Sequence, residues 1–186
     1  MTRKHGPWTI QESTRNYRNE FIEVIEDEVL QPDDEPGRYA TVRMKPGVSL
    51  LPVDADGSVT LSRQFRYALG RESLEAVSGA IDGDEPPLEA ARREAREAAG
   101  IEAEEWTELG RIDIDTSIIH CPVHLFLAQG LTFAETDREG TEEMESVRLP
   151  LAEAVQRVMQ GEITHGPSCV LILKAARHLR EQGRDA

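Results

Sequence analysis

Residues 74–101 read LEAVSGAIDGDEPPLEAARREAREAAGI, and the segment 86–99 within them has the composition of a helix. Pro87 suits a first helical turn, where its missing N–H costs nothing. Alanine and the charged residues that follow are strong helix formers, and Gly100 supplies the stop. Leu88, Ala91, Ala95, Ala98 and Ala99 form a modest apolar stripe. The spacing makes Glu94 and Glu97 i,i+3 neighbours, whose carboxylates can reach one hard cation, while Arg93 and Glu97 are i,i+4 and can pair. A loop carrying Gly79, Asp82 and Gly83 leads into the helix, where backbone can approach a ligand closely. The competing reading is a solvent-facing charged helix, because Glu89/Arg93, a possible ion pair, and Arg92/Arg96 also fall at helical spacing.

Working outward, Trp8 to Met44 alternates and is rich in aromatic and β-branched residues, broken by QPDDEPG, so short antiparallel strands are expected. VSLLPVD and SVTLSRQF flank Asp56-Gly57, a hairpin turn signal, since glycine tolerates positive φ. After the helix, EWTELGRIDI and CPVHLFLAQGL read as strands, the second a near-continuous apolar run suited to a sheet covered on both sides. Helices are expected from Pro150 to Met159 and from Pro167 to about Glu181. The sum is an α+β chain, an α/β/α sandwich with a mixed central sheet behind an N-terminal antiparallel strand segment. The expected division is 1–45 for that segment and 46–186 for the main domain.

The 186 residues are 39% apolar and 30% charged, the balance of one ordinary globular domain with a real core. A formal charge of -14 repels polymeric nucleic acid and anionic membranes, which excludes them as main partners unless a cation intervenes. No stretch approaches the roughly 20 apolar residues of a membrane span, and MTRKHGPWTI lacks the apolar core of a signal peptide, so a soluble cytoplasmic protein is expected. Cys121 and Cys169 are too few for a disulfide framework and read as small buried apolar residues. Residues 20–35, with eight acids and no base, read as solvated surface.

Gly79, five residues, Glu85, seven residues, Arg93-Glu94, then Glu97, Gly100 and Ile101 reproduce nearly all of a known signature. With these residues the chain resembles the Nudix hydrolases. Gln64, Arg66, Gly70 and Glu75 ahead of the box are similar to the ADP-ribose pyrophosphatase branch, as are EEMESVRLPLAEAV and GEITHGPSCVLILKAAR behind it. The similarity covers about residues 38–180. It implies the Nudix fold and a Mg²⁺-dependent hydrolase, with Mn²⁺ as a possible substitute, acting on a nucleoside diphosphate linked to another group. ADP-ribose, split to AMP and ribose 5-phosphate, leads the candidates. It also implies a homodimer in which the N-terminal strands are exchanged.

Carried over residue by residue, the resemblance makes Glu94 and Glu97 metal ligands, helped by a carbonyl near Ser78 or Gly79, with Glu85 supporting the loop or a metal-bound water. Arg93 joins the catalytic set as the residue that orients Glu97. The general base falls in the acidic loop, at Glu142, with Glu143 and Glu145 as fallbacks. Arg66 and Arg63 become contacts to phosphate, Arg63 being equally readable as an exposed strand residue. Glu75 is assigned to the metal or a substrate hydroxyl. Phe65 and Tyr67 share one strand face, for adenine stacking or for core packing. His120, Cys121 and His124 form an HCxxH group read as a buried or half-buried histidine pair rather than a zinc site, and His165 is placed at a helix approach or pocket rim.

Two departures stand out: Ala98 replaces a glutamate that is a central metal ligand in the family, and Val77 replaces a proline. Removing a charged ligand weakens divalent-ion binding. Ala98 therefore also motivates an alternative, a nucleotide-binding or regulatory module with weakened or lost turnover.

Overall fold

Alternating β-branched and charged side chains draw the N-terminal chain into extended structure, and the computed structural model, which describes residues 2–133 and 144–183, shows it as a meander. Strands β1 (Arg3–His5), β2 (Trp8–Arg18), β3 (Ile22–Leu30) and β4 (Pro36–Met44) pair antiparallel in that order. Residues Met1–Pro46 and Asp113–Pro122 make up the first of two compact units. The strands are longer than expected: β2 runs eleven residues, with register shifts between Ile10 and Glu12 and between Arg15 and Tyr17 that bend it. The acidic run forms β3 and its turn, and three of its carboxylates face arginines: Glu23 pairs with Arg15, and Glu26 and Glu28 with Arg38. Trp8 packs edge-on to Tyr39.

Gly47–Ile112 and the chain from Val123 onward form the second unit. Its elements are β5 (Gly47–Pro52), β6 (Ser58–Arg66), β7 (Arg71–Glu75), β8 (Val77–Ala80), α1 (Pro87–Ala99), β9 (Ile101–Asp115), β10 (Ile119–Phe133), β11 (Met144–Pro150), α2 (Leu151–Met159) and α3 (Gly166–Glu181), the long β9 and β10 each lending one end to the first unit. Within it, β10 runs parallel to β5 and β8 antiparallel to β5. A separate three-stranded sheet has the order β11-β6-β7.

The turn at Asp56-Gly57 forms as expected, with Gly57 at φ 81 and Asp54 N–H donating to Ser58 O. The hairpin does not. One bridge, Val53 to Val59, joins the two arms before they part into different sheets. Both edges of β5 are already taken, by β10 and β8, which leaves β6 no edge to pair with.

Alternation along β5 explains the layers. Val48 and Leu50 point to one face and join Phe126, Val77 and Ile81 beneath α1, whose Ala90, Ala91 and Ala95 have no exposed surface. Leu51, Leu125 and Leu127, on the opposite face, are fully buried, and α3 packs against β5. The helices and the doubly covered sheet are those read from the sequence. Some finer expectations are corrected. β6 ends at Arg66, so Tyr67 turns out of the strand and is 96% exposed, and Phe65 is 60% exposed; neither packs in a core. His120 is exposed, while His124 is half-buried and paired with Glu108, so the two do not form a buried pair. Cys121 is buried, with its thiol donating to Lys45 O, but Cys169 is only half-buried.

Leu50 has no exposed surface, so Leu50→Ala is expected to destabilise the protein by about 2–5 kcal/mol, read as a shift in a urea unfolding curve.

Candidate active site

The small side chains of Ala90, Ala91 and Ala95 let α1 lie close on β5 and β8, and this contact fixes which way its charged residues point. Gly100, in the left-handed region at φ 63, ends the helix by donating its N–H to carbonyls of the last turn. Gly79 in β8 pairs with Val48 and lies directly under Glu94. A Cβ at position 79 would sit 1.9 Å from the Glu94 carboxyl carbon, so any larger residue displaces that carboxylate.

Arg93 gathers the acids of this site. Its Nη1 donates to Glu94 Oε1 at 2.7 Å and to Glu97 Oε2 at 3.1 Å. Its Nη2 donates to Ala80 O at 2.9 Å and to Glu85 Oε2 at 3.1 Å, and its Nε to Glu85 Oε1 at 3.3 Å. The ion pair expected between Glu89 and Arg93 is replaced by one between Glu89 and Arg92. The bond to Glu85 is the main cause that raises the Arg93 pKa above its already high value, against the opposing effect of burial. The same bond holds the Glu85 carboxyl below its ordinary value. Glu94 behaves the other way: burial pushes its pKa up, with Glu97 and Asp82 adding repulsion, and Arg93 only partly offsets this.

A second group forms where β6 and β7 meet α3. Glu75 is 2% exposed and receives a two-pronged bond from Arg66, Nε to Oε1 at 3.1 Å and Nη2 to Oε2 at 2.5 Å. Burial opposes its charge, yet the Arg66 bond, with a Ser73 bond, holds its pKa below the ordinary value. His165 Nδ1 stands 3.5 Å from Glu75 Oε2 and 2.7 Å from Ser168 Oγ.

The predicted residues thus fall into three groups: Gly79, Glu85, Arg93, Glu94 and Glu97 together; Arg66 with Glu75; and Arg63 with Glu145, a cross-strand pair of β6 and β11 at 3.1 Å. Glu142 and Glu143 lie outside the described residues. Sequence reasoning left His165 at a pocket rim and passed over Ser168. The HGPS run at the start of α3 carried the signal, a histidine three residues before a serine at a helix entry. A cavity of about 760 Å³ lined by Asp54, Asp56, Glu104 and Glu105 includes none of the predicted residues, and its carboxylates oppose an anionic ligand.

No group of three or more His, Cys, Asp or Glu side chains is arranged to hold a metal ion among the described residues. Ala98, where a third ligand was expected to be missing, packs against the apolar cluster under α1. Two oxygen donors nonetheless converge, since Glu94 and Glu97 meet on the same guanidinium nitrogen. That set fits a small hard dication of the kind bound by one or two carboxylates, with waters and substrate phosphates completing its shell.

Residues 43–167 match the NUDIX domain, and the chain belongs to that family. It is 32% identical to an ADP-ribose pyrophosphatase of Mycobacterium tuberculosis over 63% of this chain and 58% of that protein's length, so part of that relative has no counterpart in the match. It is 26% identical to an ADP-ribose pyrophosphatase of Bacillus subtilis over 79% of this chain and 80% of that one. A GDP-mannose pyrophosphatase of Shigella flexneri is 31% identical over 62% of this chain and 64% of that protein. The crystal structure of an ADP compounds hydrolase superposes with a TM-score of 0.81 at 23% identity, covering 95% of this chain and 96% of that one, which shows the shared fold.

The raised pKa of Glu94 has a sign that can be measured. A carboxyl that binds its proton more tightly folded than unfolded favours the folded state at low pH, and that contribution is lost as pH rises from the ordinary value of 4.5 through the raised one. In chelator-treated protein, Glu94→Gln is expected to melt above wild type at pH 7, with the difference shrinking below pH 4.5.

Proposed function

We propose that this chain is a cytoplasmic, Mg²⁺-dependent hydrolase that splits the diphosphate of a nucleoside diphosphate linked to a second group, with ADP-ribose, giving AMP and ribose 5-phosphate, as its leading substrate. The observation that carries the reading is the seating of Glu94 against Gly79, with Glu97 directed to the same point. The ADP-ribose and GDP-mannose named for the relatives share a nucleoside diphosphate joined to a sugar, which supports the substrate class.

Glu94 and Glu97 would hold the metal, with Gly79 keeping the backbone bare beside them and Glu85 anchoring the loop. When bound, Mg²⁺ neutralises phosphate oxygens and lowers the pKa of a coordinated water, and Mn²⁺ can do the same. Arg93 is built to release the two ligands without leaving: its Nη1 serves Glu94 and Glu97, while Nε and Nη2 stay anchored on Glu85 and Ala80 O. Arg66, held by Glu75, offers its remaining nitrogen to phosphate oxygens. Glu142 is the first candidate to take the proton of the attacking water, followed by Glu143 and Glu145; the carboxylate of Glu145 is occupied by Arg63.

A second reading rests on Ala98 and on the two-carboxylate ligand set: a domain that binds such nucleotides with weak or no turnover. Purified protein with Mg²⁺ separates the two. Release of AMP from ADP-ribose, abolished in Glu94→Gln, is expected. Binding of ADP-ribose without product from it or from GDP-mannose, followed by activity gained in Ala98→Glu, would establish the second reading instead.

The segment 1–45 is proposed to take part in a homodimer, supported by exposed Tyr17, Phe21, Tyr39 and Met44 in the first unit. Light scattering on eluting protein is expected to give about twice the 20.8 kDa chain mass, and a monomer would reject the exchange.

A further inference from the structure

Hydrogen-bond accounting around Ser168 points to one tautomer of His165. Ser168 is fully buried, and its Oγ accepts the Ala76 N–H at 2.8 Å. The hydroxyl must still donate its own proton, and among the described residues its one remaining partner is His165 Nδ1 at 2.7 Å, a nitrogen whose 3.5 Å separation from Glu75 Oε2 makes no hydrogen bond. Nδ1 is therefore an acceptor, and a neutral imidazole with an accepting Nδ1 carries hydrogen on Nε2. Burial works against a charged ring here, and Arg66 adds to that, with Glu75 opposing, so the pKa of His165 lies below its ordinary value.

Nε2–H has no partner among the described residues. No buried side-chain nitrogen or oxygen among them lacks a partner either, so this N–H reaches solvent. Arg66, with Nε and Nη2 committed to Glu75, likewise leaves Nη1 without a partner among the described residues. Two outward donors, one neutral and one cationic, thus flank a single buried carboxylate that is itself already satisfied. A phosphate oxygen accepts from both kinds of donor, whereas a cation or an apolar group satisfies neither.

We propose that His165 is a substrate-binding residue that donates a hydrogen bond from Nε2–H to an oxygen of the substrate diphosphate beside Arg66. This rests on the diphosphate-hydrolase reading. The donor is fixed before substrate arrives, because Ser168 sets the tautomer and the β7–β8 junction at Ala76 sets Ser168.

Two substitutions divide the two ends of the ring. His165→Gln can keep a donor near the Nε2 position, and His165→Asn can keep a partner for Ser168 near the Nδ1 position. With Mg²⁺ and ADP-ribose, His165→Asn is expected to raise KM about ten-fold, the effect of one lost bond to a charged acceptor, with kcat little changed. His165→Gln should recover most of that loss. The reverse order, with Asn near wild type and Gln impaired, would show that His165 only supports Ser168 and overturn the assignment. Long-range ¹H–¹⁵N spectra of the histidine rings test it without turnover. The Nε2–H form at pH 7 is expected, with an Nε2 shift on adding ADP and Mg²⁺. The Nδ1–H form, or an unmoved Nε2, would sink the proposal. A protein that shifts with ADP yet never hydrolyses ADP-ribose would instead refute turnover and leave His165 as a diphosphate contact.

Discussion

A carboxylate resting on bare backbone organises the candidate active site of this protein. Glu94 can occupy its position because residue 79 has no side chain, and it is held there because α1 lies close on β8 through alanines. Larger residues on that helix face would lift α1 away, and any Cβ at 79 would push the carboxylate out. Each of these small residues therefore shapes the cluster through packing. The cost of the arrangement is visible in the raised proton affinity of Glu94, a charge kept half out of water.

That cost explains the central place of Arg93. In a chain with a net charge of -14, three carboxylates brought together near one helix repel each other unless a cation lies among them. The guanidinium is planar, permanently charged and able to bond through separate nitrogens, so it can bridge Glu85 on one side and Glu94 with Glu97 on the other. A lysine, a single point charge, could not divide its contacts in this way. The Arg66–Glu75 pair repeats the logic earlier in the chain, where a buried acid is tolerated because a fork of two bonds satisfies it.

Much of this was readable beforehand. Arg93, Glu94 and Glu97 stand at helical offsets, which geometry turns directly into neighbours, while Gly79 and Glu85 were joined to them by the family resemblance. The cover on both faces of β10 followed from its near-continuous apolar run. The fate of β6 did not. Its turn chemistry reads as a hairpin, but which edge a strand joins depends on what already occupies that edge, and the occupants come from residues 77–80 and 123–128. Tyr67 was misplaced for a smaller reason of the same kind: the turn at Gly70 takes it out of β6 one residue before alternation would apply.

Local spacing thus sufficed for the helix, its ends, and the cluster carried on it, because 3.6 residues per turn converts sequence distance into spatial distance without reference to the rest of the chain. Contacts between distant segments were left to the folded chain. Arg63 meets Glu145 across 82 positions and Ala76 meets Ser168 across 92, and no periodicity encodes either. The orientation of Arg66, the proton position on His165 and the burial of Glu75 all arise from such long-range packing, where the exclusion of water rather than the order of residues decides which polar atoms must find one another.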